Sequence, residues 1–149
     1  MADWQNLKQM FQYDLWANSL WLETLNQKGD PEPDRGILAH ILSAQRVWVE
    51  RCRGTSLTSM PRVELTEEAL SQLSQSWQNV LDGGEDRTTN YRRTTGEPGS
   101  LSISHIAMQV INHGTYHRGE LRGLYKSRND DDFPETDFAR FVFSLQAKE

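Results

Sequence analysis

The sequence predicts an all-α protein, a four-helix bundle with a short extra helix near its C-terminal end. Three observations carry that prediction. Apolar residues recur at three- and four-residue steps over four long segments. Short stretches rich in Gly, Pro, Ser and Thr separate those segments, which suits helices folded back on one another. At 149 residues the chain has the usual size of one domain, expected to span residues 1–149. A chain of that size buries roughly two-thirds of its unfolded surface.

Residues 3 to 27 read as the first helix. Trp4, Leu7, Met10, Phe11, Leu15, Leu22 and Leu25 form its apolar face, and neither Pro nor Gly occurs before Gly29. Trp4, Trp16 and Trp21 read as packing residues, because an indole covers a large apolar area. Gly29-Asp30-Pro31 and Pro33 then break the helix. The second helix runs from Asp34, its expected N-cap, to Arg53, with Ile37, Leu38, Ile41, Leu42, Val47 and Trp48 as its stripe. Gly54 ends it, and Thr55 to Leu65 reads as loop.

Thr66 caps the third helix, with Glu67 and Glu68 in the first turn, where the helix dipole favours acids. Leu70, Leu73, Trp77, Val80 and Leu81 follow, and Gly83-Gly84 stops it. Residues 86 to 101 alternate around a Gly96-Glu97-Pro98-Gly99 turn, which predicts a small β-hairpin before the fourth helix. Ser102 or Ser104 caps that helix, which reaches about Ser127. Asn129 to Asp132 read as a solvated acidic loop, since the glycine and terminal glutamate of a calcium loop are missing. Glu135 to Gln146 is the expected last helix, packing through Phe138, Phe141, Val142 and Leu145.

Composition removes several functions. There are 16 Lys and Arg against 21 Asp and Glu, for a net charge of −5. No long basic cluster is present, so nucleic acid is not an expected partner. No apolar run approaches the ~20 residues of a membrane span, and the N-terminus lacks a signal-peptide pattern, so no membrane partner is expected. One cysteine, Cys52, rules out an internal disulfide framework and fits a reducing, cytoplasmic setting.

The chemistry concentrates in the histidines. His113 and His117 stand at i and i+4, on one helix face, about 40° and ~6 Å apart. Two imidazoles so spaced converge on one cation, although one packed and one exposed histidine would look the same. His40 lies in the second helix among Ile37, Leu38, Ile41 and Leu42. It is either a core histidine bonded to a carbonyl or, facing the pair, the third ligand of a metal site with open positions.

Glu120 continues the His113–His117 face by one turn. It can orient a ligand histidine, act as a base, ligate directly, or pair at the surface with Arg118 or Arg122. Tyr116 lies beside the same face. Gly114 and Gly119 each cost about 1 kcal/mol within a helix, a cost that either a close approach of another helix or a ligand justifies or the helix simply tolerates. His105 is ~12 Å upstream of His113, too far to share its ion, and has no assigned role. Cys52, ~18 Å from His40 along the helix, reads as a spectator.

INHGTYHRGEL, with LAHILSAQRVWVERCRG and YDLWANSLWL before it and PETDFARFVF after it, resembles the DinB/YfiT-like family of metal-dependent bacterial proteins. The likeness covers nearly the whole chain, and HGTYHRGE is its specific part. It implies an up-down-down-up bundle, usually a homodimer, with a divalent ion, commonly nickel or zinc, on three histidines. Residue by residue these are His40, His113 and His117. Glu120 stands where the family more often has glutamine, and Tyr116 where another histidine is often seen. Trp16 and Asn18 resemble the first-helix pattern, which makes Asn18 a candidate pocket residue.

The family's name reflects induction by DNA damage, which describes expression and not chemistry. The resemblance implies a thiol-dependent S-transferase or isomerase using a low-molecular-weight thiol cosubstrate, with a small-molecule ligand at the metal. A metal-dependent hydrolase is the close variant. A non-catalytic metal- or small-ligand-binding stress-response bundle and a dimerisation scaffold are the alternatives.

Overall fold

Asp3 accepts the Asn6 amide hydrogen at 3.1 Å and so opens α1 (Trp4–Gln27). Thr66 does the same for Ala69 at 3.1 Å, opening α3 (Glu67–Asp82). Ser102 takes the His105 amide at 3.2 Å and opens α4 (Ile103–Ser127). These are the short oxygen side chains expected at helix starts. The computed structural model describes residues 3–148, and α2 (Asp34–Cys52) and α5 (Phe138–Gln146) complete its helices.

Two boundaries differ from the sequence reading. Asp34 is not the cap of α2: Pro33 holds that position without a side-chain bond, and Asp34 is the first helical residue. Its carboxylate is fully buried and accepts from Nη1 and Nη2 of Arg128 at 2.9 Å each. A two-pronged, charge-assisted pair is stronger than a cap bond to a neutral amide, and it ties the start of α2 to the end of α4. The last helix begins at Phe138 rather than Glu135. The Tyr13 hydroxyl donates to the Thr136 carbonyl, holding residues 135–137 against α1 outside the helix.

The core falls into two layers that reveal the chain's direction. One joins Phe11 near the start of α1, Val49 and Cys52 at the end of α2, Trp77 and Leu81 at the end of α3, and Ile103 to Ile111 at the start of α4. The other joins Trp21 to Leu25, Leu38 to Leu42, Leu70 and Leu73, then Leu121 and Tyr125. The opposite ends of every helix meet there. Thus α1 and α4 run one way and α2 and α3 the other, an up-down-down-up bundle. Phe141 packs α5 onto Tyr13 and Ala17 of α1.

The expected hairpin is present as antiparallel β1 (Thr88–Arg92) and β2 (Pro98–Ser102), with Tyr91 opposite Gly99. A Cβ on Gly99 would lie 2.6 Å from the Tyr91 ring, so only glycine lets that ring cross the strand. Tyr91 thereby reaches Trp48, edge to face at 5.2 Å, and fixes the hairpin to α2. In the acidic loop, Asp130 and Asp132 meet Lys28 at 2.9 and 3.2 Å. Among the described residues no helix is long and apolar enough to cross a membrane.

Candidate metal centre

Antiparallel packing of α2 on α4 sets His40 opposite His113 and His117. The three rings lie with centroids 5.0 Å (His40–His113), 4.8 Å (His40–His117) and 4.5 Å (His113–His117) apart. One nitrogen from each lies within 4.8 Å of the other two. Nitrogens bound tetrahedrally ~2.1 Å from one ion are about 3.4 Å apart, so small ring rotations would gather them. Leu38, Ile41 and Leu42 fill the core on the neighbouring face, leaving His40 at its edge and exposed rather than buried.

Electrostatics suit the same use. Burial pushes the pKa of His113 down to about 4, with the charges of His117 and His40 adding to the effect. Partial desolvation on its inner side also lowers the pKa of the otherwise exposed His40 ring, helped by His117 and opposed by Glu120. Both rings are therefore neutral lone-pair donors at pH 7, the form a cation requires. Glu120 Oε1 lies 2.9 Å from Nδ1 of His117. A proton on Nδ1, donated to that carboxylate, leaves Nε2 with the lone pair.

A DinB family model matches residues 35–126, well over half of the chain. The chain belongs to the DinB family. It is also similar to Protein DinB of Bacillus subtilis (strain 168), at 21% identity over 93% of this chain and 95% of that protein. All three histidines and Glu120 fall inside the DinB match, whereas α1, with Asn18, lies outside it.

Of the remaining residues singled out in the sequence, Asn18 and Tyr116 are the pocket candidates, and Cys52 and His105 are expected outside the site. Tyr116 is 72% exposed and meets the His117 ring edge-on at 5.1 Å, so it borders the DinB-family cluster from the solvent side. Asn18 is buried, donating to Asp14 at 3.1 Å and accepting from Arg118 at 2.7 Å, so its amide is committed to the core rather than to an open pocket. Cys52 is buried in the core layer of Phe11, Val49 and Trp77, away from the histidines, and desolvation pushes its pKa up to about 11, in keeping with a spectator. His105 is exposed.

Sequence reasoning missed the polar cluster next to the histidines. Arg118 is no surface partner of Glu120: it is 2% exposed, and its Nη1 donates to Asp14 Oδ1 at 2.9 Å. Gln45 donates to the other oxygen of Asp14. Gly114 makes room for this pair, since a Cβ there would come within 2.9 Å of Asp14 and 3.0 Å of Arg118. Gly119 has nothing within 4 Å, which is the tolerance reading. A signal existed. Phe11, Asp14, Asn18, Trp21 and Leu25 follow one helical stripe, and two of the five are polar.

Proposed function

We propose that this DinB-family protein binds one divalent metal ion per chain at His40, His113 and His117 and uses it on a small molecule, as a thiol-dependent transferase or isomerase. One observation carries the reading: three imidazoles from two helices, with nitrogens within 4.8 Å, at a half-exposed edge of the bundle. Nickel and zinc both suit imidazole donors. When bound, the ion would lower the pKa of a ligand thiol and so supply a thiolate nucleophile near neutral pH.

The chain's own residues do the rest. His40 and His113 present neutral nitrogens because desolvation, only partial at His40, disfavours their charged forms. Glu120 holds the Nδ1 proton of His117 and fixes that ring, and half of its side chain stays open to solvent as a proton acceptor. The exposed edge of His40 leaves an approach for a ligand. The homodimer and the cytoplasmic setting belong to the same proposal, and light scattering should give twice the 17.2 kDa chain mass.

The test begins with metal analysis of untagged protein and His117→Ala, each soaked in zinc or nickel and dialysed. About one ion per wild-type chain and none in the variant supports the site. Equal, near-zero content in both would sink it. A cobalt-loaded protein whose visible spectrum shifts saturably with a low-molecular-weight thiol supports the transferase reading. A bound metal indifferent to thiols would favour a hydrolase or a non-catalytic metal-binding bundle.

A further inference from the structure

Arg51, in the last turn of α2, is 7% exposed. Its guanidinium packs against two aromatic rings that touch each other, 4.4 Å from the centre of Trp48 and 4.6 Å from that of Tyr91. The two rings stand 77° to one another, edge to face, and offer the guanidinium π-electrons but give its N–H edge no hydrogen-bond acceptor. Among the described residues no carboxylate pairs with that edge, and Nε is buried without a partner. The contrast within the same molecule is sharp: Arg118 has Asp14, and Arg128 has Asp34. A buried cation without an acceptor is costly, so an acceptor from outside the chain is the natural complement.

The space for one is there. Arg51 lines a cavity of about 550 Å³ between the hairpin and α4, within the range of small-molecule sites. Arg93 and His105 also line it. Glu97 is its single acid, and that carboxylate already faces Arg93 at 3.7 Å. A chain of net charge −5 thus gathers a locally cationic cavity. Burial holds the Arg51 pKa below the ordinary guanidinium value, with Tyr91 opposing the shift and Arg93 adding to it. The group nevertheless stays cationic at any physiological pH.

We infer that this cavity is an anion site, in which the N–H edge of Arg51 takes the carboxylate or phosphate group of a small molecule. Gln109, also in its lining, stands one turn before His113, so the cavity and the histidine cluster follow one another along α4. The level of Arg51 is ~16 Å from that of His40 along α2. An elongated acid with its far end at the histidines would span both. That last clause rests on the metal reading, whereas the anion site does not.

The test titrates the metal-free, full-length chain with inorganic phosphate and, separately, with succinate, using sodium chloride as the ionic-strength control. Calorimetry measures affinity, and the Arg51 Nε–Hε resonance reports where the anion sits. Saturable binding in one arm, with a shift of that resonance, supports the site and tells phosphate from carboxylate. Arg51→Gln should weaken binding ~10-fold or more, since charge-assisted bonds are lost. Arg93→Gln, at an exposed position that does not threaten the fold, should weaken it about threefold by removing long-range attraction. No saturable binding of either anion below about 10 mM, or equal affinity in wild type and both variants, would overturn the proposal. His117→Ala separates the two readings. Unchanged anion binding there supports the Arg51 site whether or not metal binding is lost, while loss of anion binding would place the anion at the histidines and refute it.

Discussion

His117 and Arg118 are neighbours on α4, yet they serve polar clusters of opposite kinds. Arg118 enters a closed network: Nη1 reaches Asp14 and Asn18, while Gln45 and Asn18 donate to the second oxygen of Asp14. Its members are buried, and few polar atoms remain free, Nε of Arg118 among them. His117 joins an open cluster in which three imidazoles share one edge of the bundle and Glu120 supplies the single strong bond. A satisfied polar cluster holds helices in place. One whose lone pairs converge with few protein partners has room for a ligand.

Breaking the closed cluster should have the largest effect. Arg118→Ala leaves the Asp14 carboxylate buried without its cation, and should cost about 3–5 kcal/mol in a urea unfolding experiment. Metal stoichiometry should survive wherever the variant is folded. His113→Ala should behave in reverse, with metal-free stability nearly unchanged and the zinc-induced rise in unfolding midpoint gone. If both variants lost metal in the folded state, the two clusters would be one functional unit.

Glu120→Gln sharpens the comparison further. Removing the negative partner of His117 should weaken zinc binding about 10–100-fold, the usual cost of losing the group behind a ligand histidine. The urea midpoint of the metal-free chain should not move, because the pair is half-exposed. Next in size come the glycines. Gly114→Ala should cost roughly 1–3 kcal/mol, since its methyl group would press on Asp14 and Arg118. Gly119→Ala meets open space and should gain up to about 1 kcal/mol of helix propensity.

How much of this was legible in the sequence depends on how local the cause is. Helix spans follow from periodicity and punctuation, so α1 to α4 and the hairpin lie close to where the residues predict them. The His113–His117 pair is legible because i,i+4 spacing is a property of one helix. Placing His40 opposite that pair depends on α2 packing against α4. Its position on the second helix makes it a candidate third ligand or a core histidine, and the family resemblance implies the former. Arg128 capturing Asp34, and Arg118 entering the core, are contacts across 94 and 104 positions. At that separation a charged residue in a helix reads as a surface residue, and only the stripe bearing Asp14 and Asn18 hinted otherwise.

Cys52 shows a third way for a buried polar atom to persist, and the smallest effect. It makes no ion pair and opens to no ligand; it stays protonated. Desolvation lifts its pKa to about 11, outweighing the opposing charges of Arg87 and Arg53. The native chain should therefore resist iodoacetamide at pH 8, and react fully once urea exposes the thiol, with mass spectrometry counting the adduct. The linkage has a definite sign. The folded state keeps its proton above the ~8.5 at which an unfolded thiol loses it, so stability from this group is whole below that pH. It is lost as pH rises toward 11. Cys52→Ala should flatten that alkaline decline without altering stability's dependence on pH between 6 and 8. Rapid alkylation of the native chain at pH 8 would mean an accessible thiolate, and would return Cys52 to the group of open, ligand-ready atoms.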